Sequence, residues 1–340
     1  MIIILKADSS ESDAQEILNR IEQSGLKPLH MPGVERTVIG ALGDERVLQA
    51  LHLENHPQVD LIKPVLTKYK LVSREIYPQD TVINLGDTPV GSDQFTLMGG
   101  PCAIESEDQL LETARYVKAA GASVLRGGAF KPRTSPYSFQ GLGVEGLKIM
   151  QSVGKEVGLD TITELMDIKD LDDVANYTSA IQIGARNMQN YSLLKAVGET
   201  NKPVLLKRGL SATIEELLLA AEYIVATGNP NVMICERGIR TFETATRNTL
   251  DLNAVAFIKE KSHLPVIVDP SHGTGVRTLV APMAKAAVAC GADGLIIECH
   301  REPKESVSDA AQALSPSDFS ELVQQLAPFI HASGRKLELQ

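Results

Sequence analysis

The stretch with the densest chemistry in this chain is RGGAFKPRTSPYSFQG, residues 126–141. Arg126, Lys131 and Arg133 place three cations within eight residues, and the hydroxyls of Thr134 and Ser135 follow directly. Guanidinium groups grip phosphate and carboxylate through paired N–H donors, and a lysine adds a compact point charge. The apolar run Ala122-Ser123-Val124-Leu125 reads as a short buried strand, so the cations sit at and just past its end. Such a cluster suits a small substrate with two anionic groups. The alternative is a solvated basic loop, but the net charge of −10 makes a local basic cluster stand out from its background.

The elements that must hold these residues are set by the rest of the chain. Its 340 residues suffice for one large domain or two, with a core that needs no disulfide staples. Hydrophobic residues at 43% and charged residues at 22% describe a globular protein. Aromatic residues are only 4% and no sustained basic face exists, which argues against nucleic-acid binding. No apolar run approaches the roughly 20 residues that span a bilayer, and MIIILKADSS reads as a strand rather than a signal peptide. Cys102, Cys235, Cys290 and Cys299 lack close pairing, so free thiols and a reducing, cytoplasmic location are expected.

Residues 1–66 form a unit with the order β-α-β-β-α-β, the ferredoxin-like split arrangement. Its strands are expected at 2–5, 27–31, 36–42 and 59–65, and its helices at 10–23 and 44–53. It carries no cation cluster and no metal-ligand spacing, which suggests regulation or interaction rather than catalysis. Residues 67–93 read as a linker hairpin, with β-rich runs at 71–73 and 81–85 about a turn at Pro78-Gln79-Asp80, covering the bottom of the larger domain beyond it.

From residue 94 to 340 a strand–helix alternation repeats eight times, with strands expected at 95–100, 123–128, 160–165, 180–185, 203–209, 232–238, 265–272 and 294–300. Short apolar strands alternating with amphipathic helices mean a parallel sheet buried on both faces. Eight of them fit a (β/α)8 TIM barrel better than an open doubly wound sheet, and no G-x-G-x-x-G follows the first strand.

In such a barrel the reactive groups stand at the C-terminal strand ends. There the chain carries Cys102, Arg126 and Lys131, Glu164, Arg186, Lys207-Arg208, Glu236-Arg237, Asp269 with His272, and Glu298 with His300. One set is cationic: Arg126, Lys131, Arg133, Arg186, Lys207 and Arg237. Their mutual repulsion calls for a ligand of several negative charges, unless carboxylates pair with them, as Glu236 could with Arg237. The other set is Cys102, His272, Glu298 and a carboxylate after the last strand, with Asp309 the leading candidate. Thiolate, imidazole and carboxylate together suit a divalent ion such as Mn, Fe, Co or Zn. The residues alone leave Cys102 open between inert packing and metal ligand. Cys235 and Cys290 read as core, and Cys299 faces away from Glu298's side of its strand.

Seven segments, GPCAIES, LRGGAFKPRTSPYSFQG, IQIGARNMQN, LLKRG, CERGIRTF, VDPSHGTG and IIECH, resemble the 3-deoxy-D-arabino-heptulosonate 7-phosphate (DAHP) synthases of type Iβ, with an N-terminal ferredoxin-like domain. The likeness runs over essentially the whole chain. A rival is the sister 3-deoxy-D-manno-octulosonate 8-phosphate synthase, which uses arabinose 5-phosphate. That enzyme typically has a K-A-N-R-S-S-type segment where Lys131-Pro132-Arg133-Thr134-Ser135 stands here, and it typically lacks the N-terminal domain.

The resemblance implies joining of phosphoenolpyruvate (PEP) to erythrose 4-phosphate, with release of phosphate, at the entrance to the shikimate pathway. It implies PEP binding by Arg126, Lys131, Ala185, Arg186, Lys207 and Arg237, and erythrose 4-phosphate binding by Pro132, Arg133, Thr134 and Ser135. It assigns Cys102, His272, Glu298 and Asp309 to one divalent ion per subunit, Mn, Fe, Co, Zn or Cd. Lys131 is implied as the proton donor or aldehyde-orienting group, and Glu164 as a candidate for handling water. The N-terminal unit would be a feedback sensor for tyrosine or phenylalanine within a homotetramer; His30 and Glu35, on or near its strands, read as plain surface residues, with contact to such an amino acid as the alternative. A metal aldolase acting on sugar phosphates and a non-catalytic binding barrel remain as readings from other classes.

Overall fold

The protein is described by a computed structural model covering residues 1–32, 36–65, 67–131 and 135–337. Pro132, Arg133 and Thr134, expected at the sugar-phosphate subsite, and Glu35 lie outside the described residues. Contacts divide the chain into two compact units, Met1–Pro78 and Gln79–Gln340.

The first unit has strands β1 (Ile2–Leu5), β2 (Lys27–Pro32), β3 (Thr37–Leu42) and β4 (Val59–Lys63). They hydrogen-bond in the order β2-β3-β1-β4, with antiparallel neighbours throughout, which is the ferredoxin-like sheet. The helix Glu11–Gln23 starts at Ser10, whose hydroxyl and backbone N–H exchange bonds with Asp13 in a capping box. Ala14, Ile17, Leu18 and Ile21 recur at helical spacing and pack on Ile3, Leu5 and Ile39. Because strand side chains alternate, Ile2 and Ile4 face the other way, onto Val65 and Ile76. The second helix is shorter than the expected 44–53. It covers Glu45–Gln49, and after left-handed His52 (φ 48°) a 3-10 turn runs over Leu53–Asn55. On an unbroken helix Leu48 and Leu53 would point roughly 140° apart. The break lets both reach the same core.

The expected hairpin is displaced along the chain. Residues 71 and 72 form a turn and Ser73 makes a lone β-bridge, so no strand forms there, with Ser73 N–H on Lys70 O and Ile76 N–H on Ser73 O. The hairpin joins β5 (Ile83–Leu85) to β6 (Thr88–Val90) through Gly86-Asp87. A two-residue glycine-containing loop is the stronger turn signal. Its Ile83, Leu85 and Val90 pack against the barrel interior at Met98, Val124, Ile162 and Met233. Asp160, at the start of a barrel strand, accepts the N–H groups of Asp87 and Thr88, so the hairpin closes the N-terminal end.

The barrel strands are β7 (Thr96–Gly100), β8 (Val124–Arg126), β9 (Asp160–Leu165), β10 (Ala180–Ile183), β11 (Val204–Lys207), β12 (Val232–Glu236), β13 (Val266–Val268) and β14 (Gly294–Glu298). Each pairs in parallel with the next, and β14 closes on β7 through the register Gly294↔Thr96 to Glu298↔Gly100. The eight expected strands are all present, as a closed (β/α)8 TIM barrel. Among the described residues no helix is long and apolar enough to cross a membrane.

Candidate active site

Two groups of side chains meet at the C-terminal end of the barrel. The first is the mixed-donor set. Cys102 follows β7, Glu298 ends β14, and Asp309 stands in the loop beyond it. Ligand atoms of these three all lie within 4.8 Å of one another. His272, on the short helix Pro270–Thr274 after β13, brings Nε2 to 3.4 Å from Glu298 Oε1 and 3.7 Å from Asp309 Oδ2. Its ring is aimed by Asp269, whose Oδ2 lies 2.7 Å from His272 Nδ1 and whose Oδ1 accepts the His272 backbone N–H at 2.9 Å. A carboxylate on Nδ1 leaves Nε2 as the face turned to the cluster. All four residues expected to hold a metal are therefore gathered, and their donors fit a borderline divalent ion.

The charges in this set are strongly coupled. Burial would raise the carboxyl of Asp269, but His272 and Lys207 overrule it and hold Asp269 well below the usual range. Burial likewise opposes ionisation of Glu298, and His272 with Arg126 lowers it. The Cys102 thiol goes the other way: burial, then Glu298, push it up to about 12 against the pull of Lys131. Asp309 sits at φ 53°, a left-handed backbone sparsely used by residues other than glycine.

The second group lines a cavity of about 300 Å³ and includes Arg126, Lys131, Arg186, Lys207 and Arg237. Ala185, Glu164, His272 and Asp309 also line it. Arg126 donates from Nη1 to Pro101 O at 2.8 Å and Glu298 Oε1 at 3.0 Å, while its buried Nε has no partner. Lys207 donates to Asp269 Oδ2 at 2.5 Å. Arg237 is 5% exposed, and among the described residues no carboxylate stands within ion-pair distance of it. Burial lowers its pKa accordingly. The expected alternative partner, Glu236, is taken by Arg208 at 2.9 Å. Arg208 also bonds Asp251 at 2.9 Å and Ala212 O at 2.9 Å, away from the cavity, because successive strand residues face opposite sides. A guanidinium buried without its own counter-charge is a place for a ligand's anion.

Lys131 stands between the two groups, its Nζ 2.9 Å from Cys102 O and 3.1 Å from Cys102 Sγ. A Cβ on Gly128 would come 2.7 Å from the Lys131 stem and 2.9 Å from Cys102 O, so this glycine keeps open the slot in which the lysine lies. Glu164 faces the cavity 3.5 Å from Gln182 Nε2. Ser135 is exposed and does not line the cavity. His300 turns aside, with Nε2 3.5 Å from Glu105 Oε1.

Sequence reasoning did not single out Gln182, Arg240, Arg247 or Asn248, which also line the cavity. Arg240 lay in the quoted CERGIRTF segment, three residues past Arg237. Arg247 and the buried Gln312, which contacts Glu298, come from loops whose spacing carries no signal.

Residues 77–331 match the DAHP synthetase I family, and residues 1–67 match the DAHP synthase ferredoxin-like domain. A phospho-2-dehydro-3-deoxyheptonate aldolase of Thermotoga maritima is 50% identical over 337 residues, covering 99% of this chain and all of that protein. A 2-dehydro-3-deoxyphosphooctonate aldolase of Syntrophobacter fumaroxidans is 32% identical over 260 residues, 71% of this chain and 89% of that one. The crystal structure of the T. maritima phospho-2-dehydro-3-deoxyheptonate aldolase (DAHP synthase) superposes with a TM-score of 0.79 over 99% of both chains, at 50% identity. A truncated form of the T. maritima synthase gives 0.75 at 49% identity, covering 79% of this chain and 99% of that one.

Proposed function

This chain belongs to the DAHP synthetase I family and is a transferase of the DAHP synthase type; from that premise we propose that it condenses PEP with erythrose 4-phosphate, using a divalent metal ion. The observation that carries the reading is the convergence of seven cations, Arg240 and Arg247 among them, on one cavity beside the Cys102, His272, Glu298 and Asp309 donor set. PEP supplies a phosphate and a carboxylate for Arg126, Lys131, Arg186, Lys207 and Arg237, with Ala185 beside them. Cys102, His272, Glu298 and Asp309 would hold the ion, and Mn, Fe, Co, Zn and Cd all suit such donors. When bound, a divalent ion supplies Lewis-acid polarisation of the aldehyde oxygen.

In the reaction, C3 of PEP bonds to the aldehyde carbon, and the aldehyde oxygen takes up a proton. Lys131 Nζ would deliver it, a role supported by its lying between the donor set and the cation-lined cavity. Water adds at C2 of the former PEP, and Glu164, facing the cavity, would accept a proton from that water. The hemiketal then loses inorganic phosphate by C–O cleavage and C2 becomes the ketone. Pro132, Arg133, Thr134 and Ser135 would take the sugar phosphate.

We assign residues 1–66 to a regulatory domain answering to tyrosine or phenylalanine, 67–93 to the linker, and 94–340 to catalysis, in a cytoplasmic homotetramer. The ferredoxin-like match supports the first part. PEP consumption assayed with erythrose 4-phosphate and with arabinose 5-phosphate, before and after EDTA, tests the catalytic reading. Activity with the four-carbon sugar that EDTA abolishes and Mn restores is the expected result. Preference for arabinose 5-phosphate, or turnover indifferent to EDTA, would overturn it. Deleting residues 1–66 should remove inhibition by either amino acid, and an unchanged inhibition curve refutes the sensor role.

A further inference from the structure

Both carboxylates of the donor set are held from behind by side chains that no part of the proposed reaction uses. Gln312 is 2% exposed, and its Nε2 donates to Glu298 Oε2 at 2.6 Å. Its Oε1 accepts from Arg247 Nη1 at 3.0 Å, so the amide's orientation is fixed at both ends. The same Arg247 nitrogen lies 3.2 Å from Asp309 Oδ1. Gln312 also donates its backbone N–H to Asp309 O at 3.2 Å, closing the turn that presents left-handed Asp309. Next to Arg247, Asn248 Nδ2 donates to His272 O at 2.8 Å.

The consequence is a division of oxygens. Glu298 Oε2 is taken by Gln312, while Oε1, which accepts one bond from Arg126, is the oxygen turned to His272 and the donor set. Asp309 Oδ1 is taken by Arg247, while Oδ2 faces Cys102 at 3.3 Å and His272 at 3.7 Å. Room for the Arg247 stem is built in as well: a Cβ on Gly275 would lie 2.4 Å from Arg247 Cβ. Gly275 has φ 68°, which suits glycine independently.

We propose that Gln312 and Arg247 are positioning residues that assign one oxygen of each carboxylate to the protein and leave the other for the metal ion, and so set its affinity. The inference rests on the metal-site reading above. Outer groups that orient ligating side chains typically change metal affinity by 10–100-fold when removed. Gln312 does not line the cavity, so its effect should fall on the ion and not on PEP.

The test is a cobalt(II) titration of the full-length chain stripped of metal, following the thiolate-to-cobalt absorption band and competition with a chromophoric chelator. Gln312→Leu and Arg247→Met should each weaken cobalt binding by about 10–100-fold, with Arg247→Lys recovering part of the loss. At saturating cobalt, Gln312→Leu should leave the KM for PEP near the parent value. A purely structural role would lower the Tm of the metal-free protein and leave cobalt affinity unmoved, and that outcome overturns the proposal. Arg247 is 39% exposed, so its variants remain informative should Gln312→Leu fail to fold. A parent chain with no thiolate band defeats the metal-site reading itself, whereas normal parent binding with unchanged variants defeats only the present inference.

Discussion

Replacing Lys131 by methionine separates chemistry from architecture. Methionine keeps most of the stem that lies against Gly128 and removes the ammonium 2.9 Å from Cys102 O and 3.1 Å from Cys102 Sγ. Lys131 is half-buried, so losing these contacts should cost about 1 kcal/mol of stability, a net charged hydrogen bond discounted for solvent. In a unit of this size that lowers Tm by roughly 2–4 °C. If Lys131 delivers the proton to the new alkoxide, its loss removes a factor of roughly 10²–10⁴ from kcat. That corresponds to about 2.7–5.4 kcal/mol on the barrier, several times the effect on folding. Decay of PEP's ultraviolet absorbance with saturating erythrose 4-phosphate and metal gives kcat, and circular dichroism gives Tm. A kcat within about tenfold of the parent, below the range for a general acid, refutes the assignment. So does a Tm loss large enough to explain the rate by unfolding.

The same geometry leads to three further outcomes. Gly128→Ala should reproduce part of the Lys131→Met defect, because the added methyl meets the lysine stem and Cys102 O; parent-like kcat would show that the slot is unimportant. Arg208→Met should lower Tm by on the order of 10 °C, since breaking a buried pair costs about 3–5 kcal/mol, and Glu236→Gln in the same chain should recover part of it. A thermal shift under about 2 °C, less than 1 kcal/mol in a unit of this size, contradicts its structural role. For Asp269 the folded pKa lies well below 3.8, so its stabilisation is fully present above that value and is lost as pH falls toward the folded pKa. The Tm gap between parent and Asp269→Asn should be widest near neutrality and narrow progressively below about 3.8; a gap constant down to pH 3 would count against the His272 and Lys207 interactions.

Strand alternation accounts for most of the structure that is legible in the sequence. Apolar runs place all the barrel strands, and the rule that chemistry sits at their C-terminal ends brings Cys102, Arg126, Lys207, Arg237 and Glu298 to one mouth. Alternation also separates Lys207 from Arg208, yet adjacent cations look alike until the partners Glu236 and Asp251 are placed. Long-range partnerships are beyond the reach of one-dimensional spacing. Gln312 is an ordinary loop glutamine until the chain brings it to Glu298. The early end of the second N-terminal helix depends on burying Leu48 and Leu53 together, a demand made by the opposing helix and sheet. The hairpin is hard to place because the β-rich residues at 71–73 compete as a strand signal with the Gly86-Asp87 loop, and the loop wins.

The β5–β6 hairpin packs on the N-terminal end of the barrel, opposite the cavity. Ile83, Leu85 and Val90 extend the apolar core at that end, while the cavity is lined from the C-terminal strand ends. Arg186 and Arg240 are exposed at that rim, whereas Arg126 and Lys207 are 5% and 4% exposed at depth. On the proposed reading, an anion held by the deep pair would sit farther from solvent than one held at Arg186 or Arg240, so its exchange with bulk water would be the slower.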